Sequence, residues 1–267
     1  MSDSIAYGGQ LYGSRNLYRF APTVITGSAP PPAIYDPAVL SLSGWWRDYN
    51  GAPWIGTASA GTSGDAGKSF DTAGVDPTVG SIGLYTYANF SGAGKALLAT
   101  TLTMEDLFTS TEYTQVYLVY MYTLPASAGE STPYSDIPIL ADTGGGAYYG
   151  SSLSTSGFTG YHLDSTVSYK GARVALPTGN TGFWMMLTSR FDGAILKSSA
   201  NLGTEATQTK LASLGLGPAP VKLGRDIFNV DTFDGRIAEI ITAKTYLSDT
   251  DLANIKSYFN GRYTLAL

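Results

Sequence analysis

Few residues in this 267-residue chain could carry out acid–base or nucleophilic catalysis. The single histidine, His162, would have to be the base of any Ser-His-Asp triad, and no Gly-x-Ser-x-Gly motif accompanies it. Retaining glycosidases need two carboxyl groups about 5 Å apart. No two glutamates lie within four positions of each other; they are Glu105, Glu112, Glu130, Glu205 and Glu239. We therefore expect a protein that is not an enzyme, with His162 in a strand or loop.

A metal site would need several carboxylate and carbonyl oxygens gathered in one loop. Asp142, close to the run Gly144–Gly146, is one candidate, and Asp226, Asp231 and Asp234 form a second acidic group. No Asp-x-Asp-x-Asp-Gly loop is present, and the absence of cysteine excludes thiolate ligands. We expect solvated loop acids, and we predict no metal and no cofactor, because nothing in the sequence supports a loop Ca²⁺.

Sugar binding needs an aromatic ring that stacks against the sugar, with hydrogen-bonding groups beside it. The candidate glycan-binding residues are Asp142, Tyr148, Tyr149, Tyr161 and His162. Further aromatic candidates are Trp45, Trp46, Trp54 and Trp184. Two of these tryptophans, Trp46 and Trp184, lie within strand patterns, and we expect them in the core. The 19 tyrosines suit protein partners equally well, so composition leaves both kinds of partner open.

Charge and composition exclude several classes of partner. The net charge is −5 and no lysine/arginine cluster occurs, which argues against nucleic acid and against an anionic membrane surface. No stretch approaches the roughly 18 apolar residues of a membrane span. The N-terminus lacks the basic start and apolar run of a signal peptide. We therefore expect synthesis in the host cytoplasm without a signal peptide.

The chain has the composition of a protein made from short strands. Only 14% of residues are charged, whereas there are 32 glycines and 19 tyrosines. Tyr113–Thr123 is the clearest strand, because it is long, β-branched and aromatic without glycine or proline. Ile137–Ala141 is another, in which Pro138 predicts an edge or a bulge. Other predicted strands are 43–49, 82–87, 158–163, 167–169, 182–191, 194–198, 221–223 and 235–243.

One helix is predicted near the C-terminus. Ser248 provides an N-cap, and Asp249 and Asp251 follow in the first turn. The apolar face is formed by Leu252, Ile255, Tyr258 and Phe259. A short turn at Thr103–Phe108 is a weaker helical candidate. Many strands with little helix indicate a β-sandwich or β-barrel.

Residues 1–38 differ from the remainder of the chain. They are rich in glycine, tyrosine and proline, and Pro30-Pro31-Pro32 favours an extended spacer. A disordered tail is one reading. The other is an arm that docks on a neighbouring subunit through aromatic anchors, which would be Tyr7, Tyr12, Tyr18 and Phe20. We predict an attachment arm over residues 1–38 and one sandwich domain over 39–267.

The last hundred residues resemble a known family. Phe183–Gly193 is similar to the family strand that ends in Phe-Asp-Gly, and Val221–Gly224 to a strand that ends in glycine. Phe233–Ile241 resembles the signature strand, which Leu247–Tyr263 follows as its closing partner. Together these segments resemble the concanavalin A-like lectin/glucanase family in its laminin G-like form. The resemblance implies an all-β fold: an antiparallel jelly-roll β-sandwich with an extended N-terminal arm and one short C-terminal helix.

The same resemblance bears on function. Glucanases of the family carry Glu-x-Asp-x-x-Glu on one strand, and this chain has no such motif. A sandwich with a Gly/Pro-rich arm and without cysteine is similar in style to bacteriophage virion proteins. We predict a non-enzymatic virion structural protein, either a capsid decoration or a tail-associated protein. Its expected partners are other virion subunits, and we expect a homo-oligomer. The alternative is a carbohydrate-binding module or adhesin that recognises a glycan.

Overall fold

The protein is described by a computed structural model. The described residues are 5–7, 10–12, 36–56, 69–72, 74–92, 94–123, 137–142, 150–154, 157–162, 171–176, 181–211, 220–225 and 233–267. The chain divides into two compact units, Met1–Ile34 and Tyr35–Leu267.

The N-terminal unit contains a small antiparallel hairpin. Its strands are β1 (Ile5–Tyr7) and β2 (Gln10–Tyr12), and Tyr7 pairs with Gln10 while Ile5 pairs with Tyr12. These strands were not expected, because three residues are too few to show a strand period in the sequence. Tyr18 and Phe20 lie outside the described residues.

The larger unit is built almost entirely from strands. In chain order they are β3 (Gly44–Arg47), β4 (Trp54–Ile55), β5 (Ser69–Thr72), β6 (Thr78–Ile82), β7 (Tyr85–Asn89), β8 (Leu97–Thr103), β9 (Tyr113–Met121), β10 (Ile137–Asp142), β11 (Gly150–Ser154), β12 (Gly157–Tyr161), β13 (Ala172–Val174), β14 (Trp184–Phe191), β15 (Ile195–Ala200), β16 (Ala206–Thr209), β17 (Pro220–Leu223) and β18 (Gly235–Ala243). A 3-10 turn spans Pro37–Val39, and the α-helices are α1 (Met104–Leu107) and α2 (Asp249–Tyr263).

These strands form two antiparallel sheets. Within the described residues, sheet I has the order β13-β12-β11-β10-β17-β8-β5-β4. Sheet II has the order β16-β15-β14-β9-β18-β7-β6, and β3 pairs with β18 on the same side as β7. The predicted all-β antiparallel sandwich is therefore confirmed.

The main core lies between the two sheets. Leu97 and Val221 of sheet I belong to the same buried cluster as Val119, Leu187 and Ile237 of sheet II. A second buried cluster covers the outer face of sheet II, where Val116 and Leu118 of β9 pack beneath helix α2. Because β9 is buried on both faces, its sequence is an almost continuous apolar and aromatic run.

Helix α2 forms where the sequence predicted it. The Ser248 hydroxyl accepts from the Asp251 backbone N–H at 3.1 Å, and Asp251 Oδ2 accepts from the Ser248 N–H at 2.9 Å, which completes a capping box. The helix buries one face against sheet II, formed by Leu252, Ile255, Tyr258, Phe259 and Tyr263. It ends at Tyr263, and Thr264 follows in the left-handed region with φ 53°.

Most predicted strands are present, with one correction. The sequence predicted a strand over Ile82–Tyr87, but the structure has a hairpin turn there between β6 and β7. Gly83 has φ 60°, a conformation that glycine adopts without strain, and Leu84 at the tip is 95% exposed. Alternation continues on both sides of the turn, so the period alone did not reveal it. The bulge predicted at Pro138 is confirmed by a register shift between Pro138 and Leu140.

Several short strands were not predicted. They are β4, β5, β8, β11, β13 and β16. The segment 167–169, which was predicted as a strand, lies outside the described residues. Thr103–Phe108 does contain a helix, α1, although it has only one turn.

Candidate functional site

One row of residues crosses four adjacent strands on the outer face of sheet II. Trp184 of β14 lies opposite Tyr120 of β9, and Tyr120 lies opposite Arg236 of β18. Arg236 in turn lies opposite Asn89 of β7. Residues that face one another across antiparallel strands are close enough for aromatic and long side chains to touch. The sheet register therefore brings two aromatic rings, a cation and an amide into one line.

Tyrosine rings surround the Arg236 guanidinium. Its carbon lies 4.5 Å from the ring centre of Tyr120, 4.8 Å from Tyr122 and 5.0 Å from Tyr87. These distances are within the range of cation–π attraction. Arg236 Nε also donates to the Tyr122 hydroxyl. The rings thus hold the guanidinium in place without a carboxylate.

The aromatic rings also contact one another. Trp184 packs edge-to-face with Tyr87 at 5.5 Å and with Tyr120 at 5.6 Å, and Tyr120 contacts Tyr122 at 5.5 Å. We call Trp184, Tyr87, Tyr120 and Tyr122, with Arg236 among them, the aromatic platform. Arg236 and three of the four rings are partly exposed, whereas Tyr87 is buried.

The turn before β18 fixes the position of Arg236. Asp234 Oδ2 accepts from the Thr123 hydroxyl at 2.7 Å, and the Asp234 carbonyl accepts from the Tyr122 N–H at 3.1 Å. Gly235 is required there, because a Cβ would lie 2.4 Å from the Tyr120 carbonyl oxygen. The turn at Asp234-Gly235 therefore anchors one end of the platform.

The proton on Tyr87 is firmly held. Burial raises the pKa of the Tyr87 hydroxyl, although the Arg236 charge acts in the opposite direction. At neutral pH this tyrosine is uncharged, so the phenol does not neutralise the nearby guanidinium.

A different arginine lies at the other end of the same face. Arg190 of β14 is buried and contacts two carboxylates, Glu205 at 2.5 Å and Asp249 at the start of α2. Its Nη1 donates to the Leu247 carbonyl at 2.9 Å, and its guanidinium lies 4.6 Å from the ring centre of Tyr246. Carboxylate partners raise the pKa of Arg190 against the opposing effect of burial. Its charge is therefore compensated within the protein.

Two surface depressions adjoin Glu205, and Arg190 lines the smaller one. They have volumes of about 290 Å³ and 430 Å³ and share Gly203 and Glu205 in their walls. Glu205 is already paired with Arg190 and, at 3.4 Å, with Lys197. The polar groups in the walls of these depressions therefore already serve to hold helix α2 and the turn between β15 and β16.

A buried carboxylate lies beneath helix α2. Glu239 accepts hydrogen bonds from Trp45 Nε1, from the Tyr263 hydroxyl at 2.7 Å and from the Tyr258 hydroxyl at 3.3 Å. Arg262 Nε lies 3.8 Å away. Burial raises the pKa of Glu239 to about 7, because desolvation outweighs these hydrogen bonds and the arginine charge. The group is enclosed and joins α2 to the sheet.

The residues that the sequence proposed for glycan binding are placed as follows. Tyr161 and His162 are buried, with 2% and 0% exposure, and His162 Nδ1 lies 3.2 Å from the Tyr113 hydroxyl. This position does not fit direct stacking of either ring on a sugar. Asp142 ends β10, but its side chain is outside the described set, as are Tyr148 and Tyr149. Glycan binding by these last three residues stays a prediction.

The tryptophans divide into two groups. Trp45, Trp46 and Trp54 are buried, so they do not offer a sugar-binding surface. Trp46 was predicted in the core and is confirmed there. Trp184 was also predicted in the core, but it is only partly buried and packs at the edge of the outer cluster. Its place in the platform corrects that expectation.

The sequence reasoning missed Tyr87, Tyr120, Tyr122 and Arg236. The alternation of Tyr120 and Tyr122 along the predicted strand 113–123 placed both on one face, which was a usable signal. Arg236 follows a turn dipeptide and gave no such signal. The pairing of β18 with β9 and β7 brings it to the tyrosines.

The described residues contain no group of three or more histidine, cysteine, aspartate or glutamate residues that could hold a metal ion. Asp226 and Asp231 of the acidic loop group are outside this set, whereas Asp234 bonds Thr123. Within the same residues, no helix is long and apolar enough to cross a membrane.

No protein-family model matches the sequence, and a search of curated proteins finds no relative. Solved structures do match. Domain 4 of AbnA, a GH43 extracellular arabinanase from Geobacillus stearothermophilus in complex with arabinotriose, aligns with a TM-score of 0.53 and 14% identity over 81% of this chain and 98% of that domain. The botulinum neurotoxin serotype D binding domain aligns with a TM-score of 0.57 and 13% identity over 81% of this chain and 50% of that one.

A third match is the Trypanosoma rangeli sialidase in complex with the inhibitor DANA, with a TM-score of 0.53 and 12% identity. It covers 80% of this chain and 32% of the sialidase chain. At these identities the likenesses show the fold alone. They define the class of this protein by its fold, an antiparallel β-sandwich.

Proposed function

We propose that the sandwich is a non-catalytic carbohydrate-recognition module and that the aromatic platform is its binding surface. The observation that carries this proposal is the row Trp184–Tyr120–Arg236 on the partly exposed outer face of sheet II. The fold adds support, because a similar sandwich was solved in complex with arabinotriose, a short saccharide.

The platform has the two kinds of group that sugar recognition needs. The rings of Trp184 and Tyr120 offer partly exposed aromatic surface for the apolar C–H face of a pyranose or furanose. Arg236 and the Tyr122 hydroxyl provide hydrogen-bonding groups beside these rings. Because the rings brace one another, little side-chain entropy is lost on binding.

The proposal excludes hydrolysis for a specific reason. The carboxylate nearest to Arg236 in sequence, Asp234, is engaged by Thr123, and the enclosed Glu239 bonds Trp45 and two tyrosines. Glu239 is fully buried, so a substrate cannot reach it to use it as a general acid or nucleophile.

The test is saccharide binding on a glycan array, followed by calorimetry with the best ligand. Trp184→Ala and Tyr120→Ala should each weaken binding at least about tenfold, the loss expected from removing a stacked ring. Tyr120→Phe keeps the ring and should bind nearly as well as the wild type. Leu84→Ala, at the exposed tip of the β6–β7 hairpin, is the surface control.

A loop site would give a different result. If Tyr148→Ala or Tyr149→Ala abolishes binding while Trp184→Ala does not, recognition belongs to the loop that the sequence suggested. Unchanged binding in both ring-deletion variants would reject the platform.

We also propose that residues 1–38 attach this module to a virion and to sister copies of the chain. The supporting observation is that Met1–Ile34 forms a compact unit of its own, which contains the β1–β2 hairpin. Deletion of residues 1–35 should leave a folded sandwich that no longer self-associates, as measured by light scattering, and that no longer enters particles. A truncated protein that still assembles would reject the attachment role.

A further inference from the structure

We propose that the aromatic platform recognises an acidic saccharide, one that carries a carboxylate, and that Arg236 is the residue that determines this specificity. The inference rests on the proposed carbohydrate-binding function and adds the chemical class of the ligand. It starts from the charge of Arg236, which the protein does not neutralise within the part that the structure describes.

Two other arginines on the outer face of sheet II, Arg190 and Arg262, have carboxylate partners, whereas Arg47 lies over the Trp45 ring. Arg190 is paired with Glu205 and Asp249, and Arg262 lies 2.5 Å from Asp48 and 3.8 Å from Glu239. Among the described residues, no carboxylate lies within ion-pair distance of Arg236. In the part that the structure describes, Arg236 is thus held against tyrosine rings instead of a carboxylate, as Arg47 is held against the Trp45 ring.

The nitrogen atoms of Arg236 also differ in whether the described residues give them a hydrogen-bond acceptor. Nε donates to the Tyr122 hydroxyl, while the described residues provide no acceptor for either terminal nitrogen. A guanidinium presents parallel N–H groups that match the two oxygens of a carboxylate. The rings of Tyr87, Tyr120 and Tyr122 fix the plane of the guanidinium in advance. A carboxylate can therefore bind without much further ordering of the side chain.

Two other charged residues, Asp234 and Lys95, bear on which ligand charge the platform favours. Asp234 is the acidic residue closest in sequence, but its Oδ2 accepts from Thr123 and it forms no ion pair with Arg236. At the other end of the row, the Lys95 ammonium lies 3.5 Å from the Asn89 carbonyl. Asn89 is the cross-strand neighbour of Arg236, so a second cation lies at that end of the platform. The Lys95 charge favours an anion, whereas the Asp234 charge opposes one.

The proposed complex combines these features. The sugar ring stacks against Trp184 and Tyr120, and its carboxylate lies in front of the free N–H groups of Arg236. Trp184 is the partly exposed tryptophan, while the other three of the four tryptophans are buried. Ligand binding at the platform should therefore change the fluorescence of Trp184 and leave the fluorescence of the three buried tryptophans almost unchanged.

The experiment compares three probes on the full-length chain. Trigalacturonate carries the carboxylates, its carboxyl-reduced trisaccharide has the same rings without charge, and a sulfated trisaccharide has a different anion. Binding is followed by tryptophan fluorescence and calorimetry at low and physiological salt. We expect trigalacturonate to bind at least about tenfold more tightly than the reduced probe, with affinity falling as salt is raised. The sulfated probe should bind more weakly than the carboxylate.

Matched variants assign the effect to Arg236. Arg236→Gln should lose about tenfold or more in affinity for trigalacturonate but keep the affinity for the reduced trisaccharide. Arg236→Lys retains the charge but lacks the planar fork of the guanidinium. Its affinity for trigalacturonate should lie between those of the wild type and Arg236→Gln. Asp234→Asn keeps an acceptor for Thr123 and removes a negative charge, so it should bind trigalacturonate slightly more tightly than the wild type. Thermal unfolding of each variant verifies that the sheet is intact.

Three results would overturn the inference while leaving carbohydrate recognition in place. One is equal binding of the charged and reduced trisaccharides by the wild type, with both lost in Trp184→Ala. Another is an affinity of Arg236→Gln for trigalacturonate that equals the affinity of the wild type. A protein that binds no saccharide on the array or in solution rejects both proposals together. Stronger binding of the sulfated probe would also reject a carboxylate-specific site.

Discussion

The hydroxyl of Tyr263 donates to Glu239 across 2.7 Å, and this contact joins the last turn of helix α2 to the central strand of sheet II. Trp45 and Tyr258 donate to the same carboxylate. Two of the donors come from helix α2 and the third from the neighbouring strand β3, so Glu239 is a polar group within the mainly apolar interface between α2 and sheet II. The charge state of one carboxyl therefore influences how firmly the helix is held.

Stability should depend on pH through Glu239. Burial raises the pKa of its carboxyl to about 7 in the folded protein, from 4.5 as the ordinary value. The folded state then binds the proton more tightly than the unfolded state. The contribution to stability is complete below about pH 4.5 and is lost as pH rises through 7. From these two pKa values, the loss is on the order of 3 kcal/mol.

Glu239→Gln removes this titration while keeping a hydrogen-bonding side chain. Urea unfolding of both proteins between pH 5 and 8 measures the difference in free energy of unfolding. The difference should shift in favour of the glutamine variant as pH rises. A constant difference across this range would contradict the assigned pKa.

Removal of Arg190 should cost more than removal of either of its partners. Arg190→Ala leaves the Leu247 carbonyl and two carboxylates without their donor, and we expect a loss of about 3 kcal/mol in the free energy of unfolding. Asp249→Asn should cost less than about 1 kcal/mol, because the Asp249 side chain is 87% exposed. Chemical unfolding of the two variants at neutral pH tests this order, and a reversed order would show that Arg190 does not support the helix.

Replacement of Gly235 should damage the platform and the sheet together. In Gly235→Ala the new Cβ would lie 2.4 Å from the Tyr120 carbonyl oxygen and 2.5 Å from the Phe233 ring. We expect about 2 kcal/mol of destabilisation and a changed Trp184 fluorescence. Gly203→Ala is the control, because its nearest neighbour would be 3.2 Å away. Equal stability of the two variants would contradict the close approach at Gly235.

Removal of the capping box of α2 should have a smaller effect on stability. Ser248→Ala removes the hydroxyl that accepts from the Asp251 N–H and should destabilise the protein by about 1 kcal/mol. Ser257→Ala, on the exposed side of the same helix, should be neutral or slightly stabilising, because alanine is the better helix former. Thermal unfolding distinguishes the two; a neutral Ser248→Ala would show that the cap contributes nothing.

The sequence was informative where one element carries its own signal. Strand β9 and helix α2 were predicted because a long apolar run and a capped amphipathic segment are local patterns. The hairpin at Gly83 was missed because β6 and β7 share one alternating pattern, and short strands such as β4 have too few residues to show any period.

The candidate site depends on pairings that no local pattern shows. Arg236 and Tyr120 are 116 positions apart, and they meet because β18 lies between β9 and β7. The sequence instead pointed to Tyr161 and His162, which are aromatic and polar neighbours in the chain but are buried in the sandwich. Proximity along the chain was a poor guide, because sheet register decides which side chains share a surface.

The central place of β18 also has a consequence for biosynthesis. This strand is synthesised after every other described strand of sheet II, yet it fills the gap between β9 on one side and β3 and β7 on the other. Until residue 243 has emerged, the nascent chain carries β9 with one edge open and its apolar outer face without α2. Sheet II can close only after residue 243 has emerged, so the strands made before β18 are exposed to aggregation and to chaperones until then.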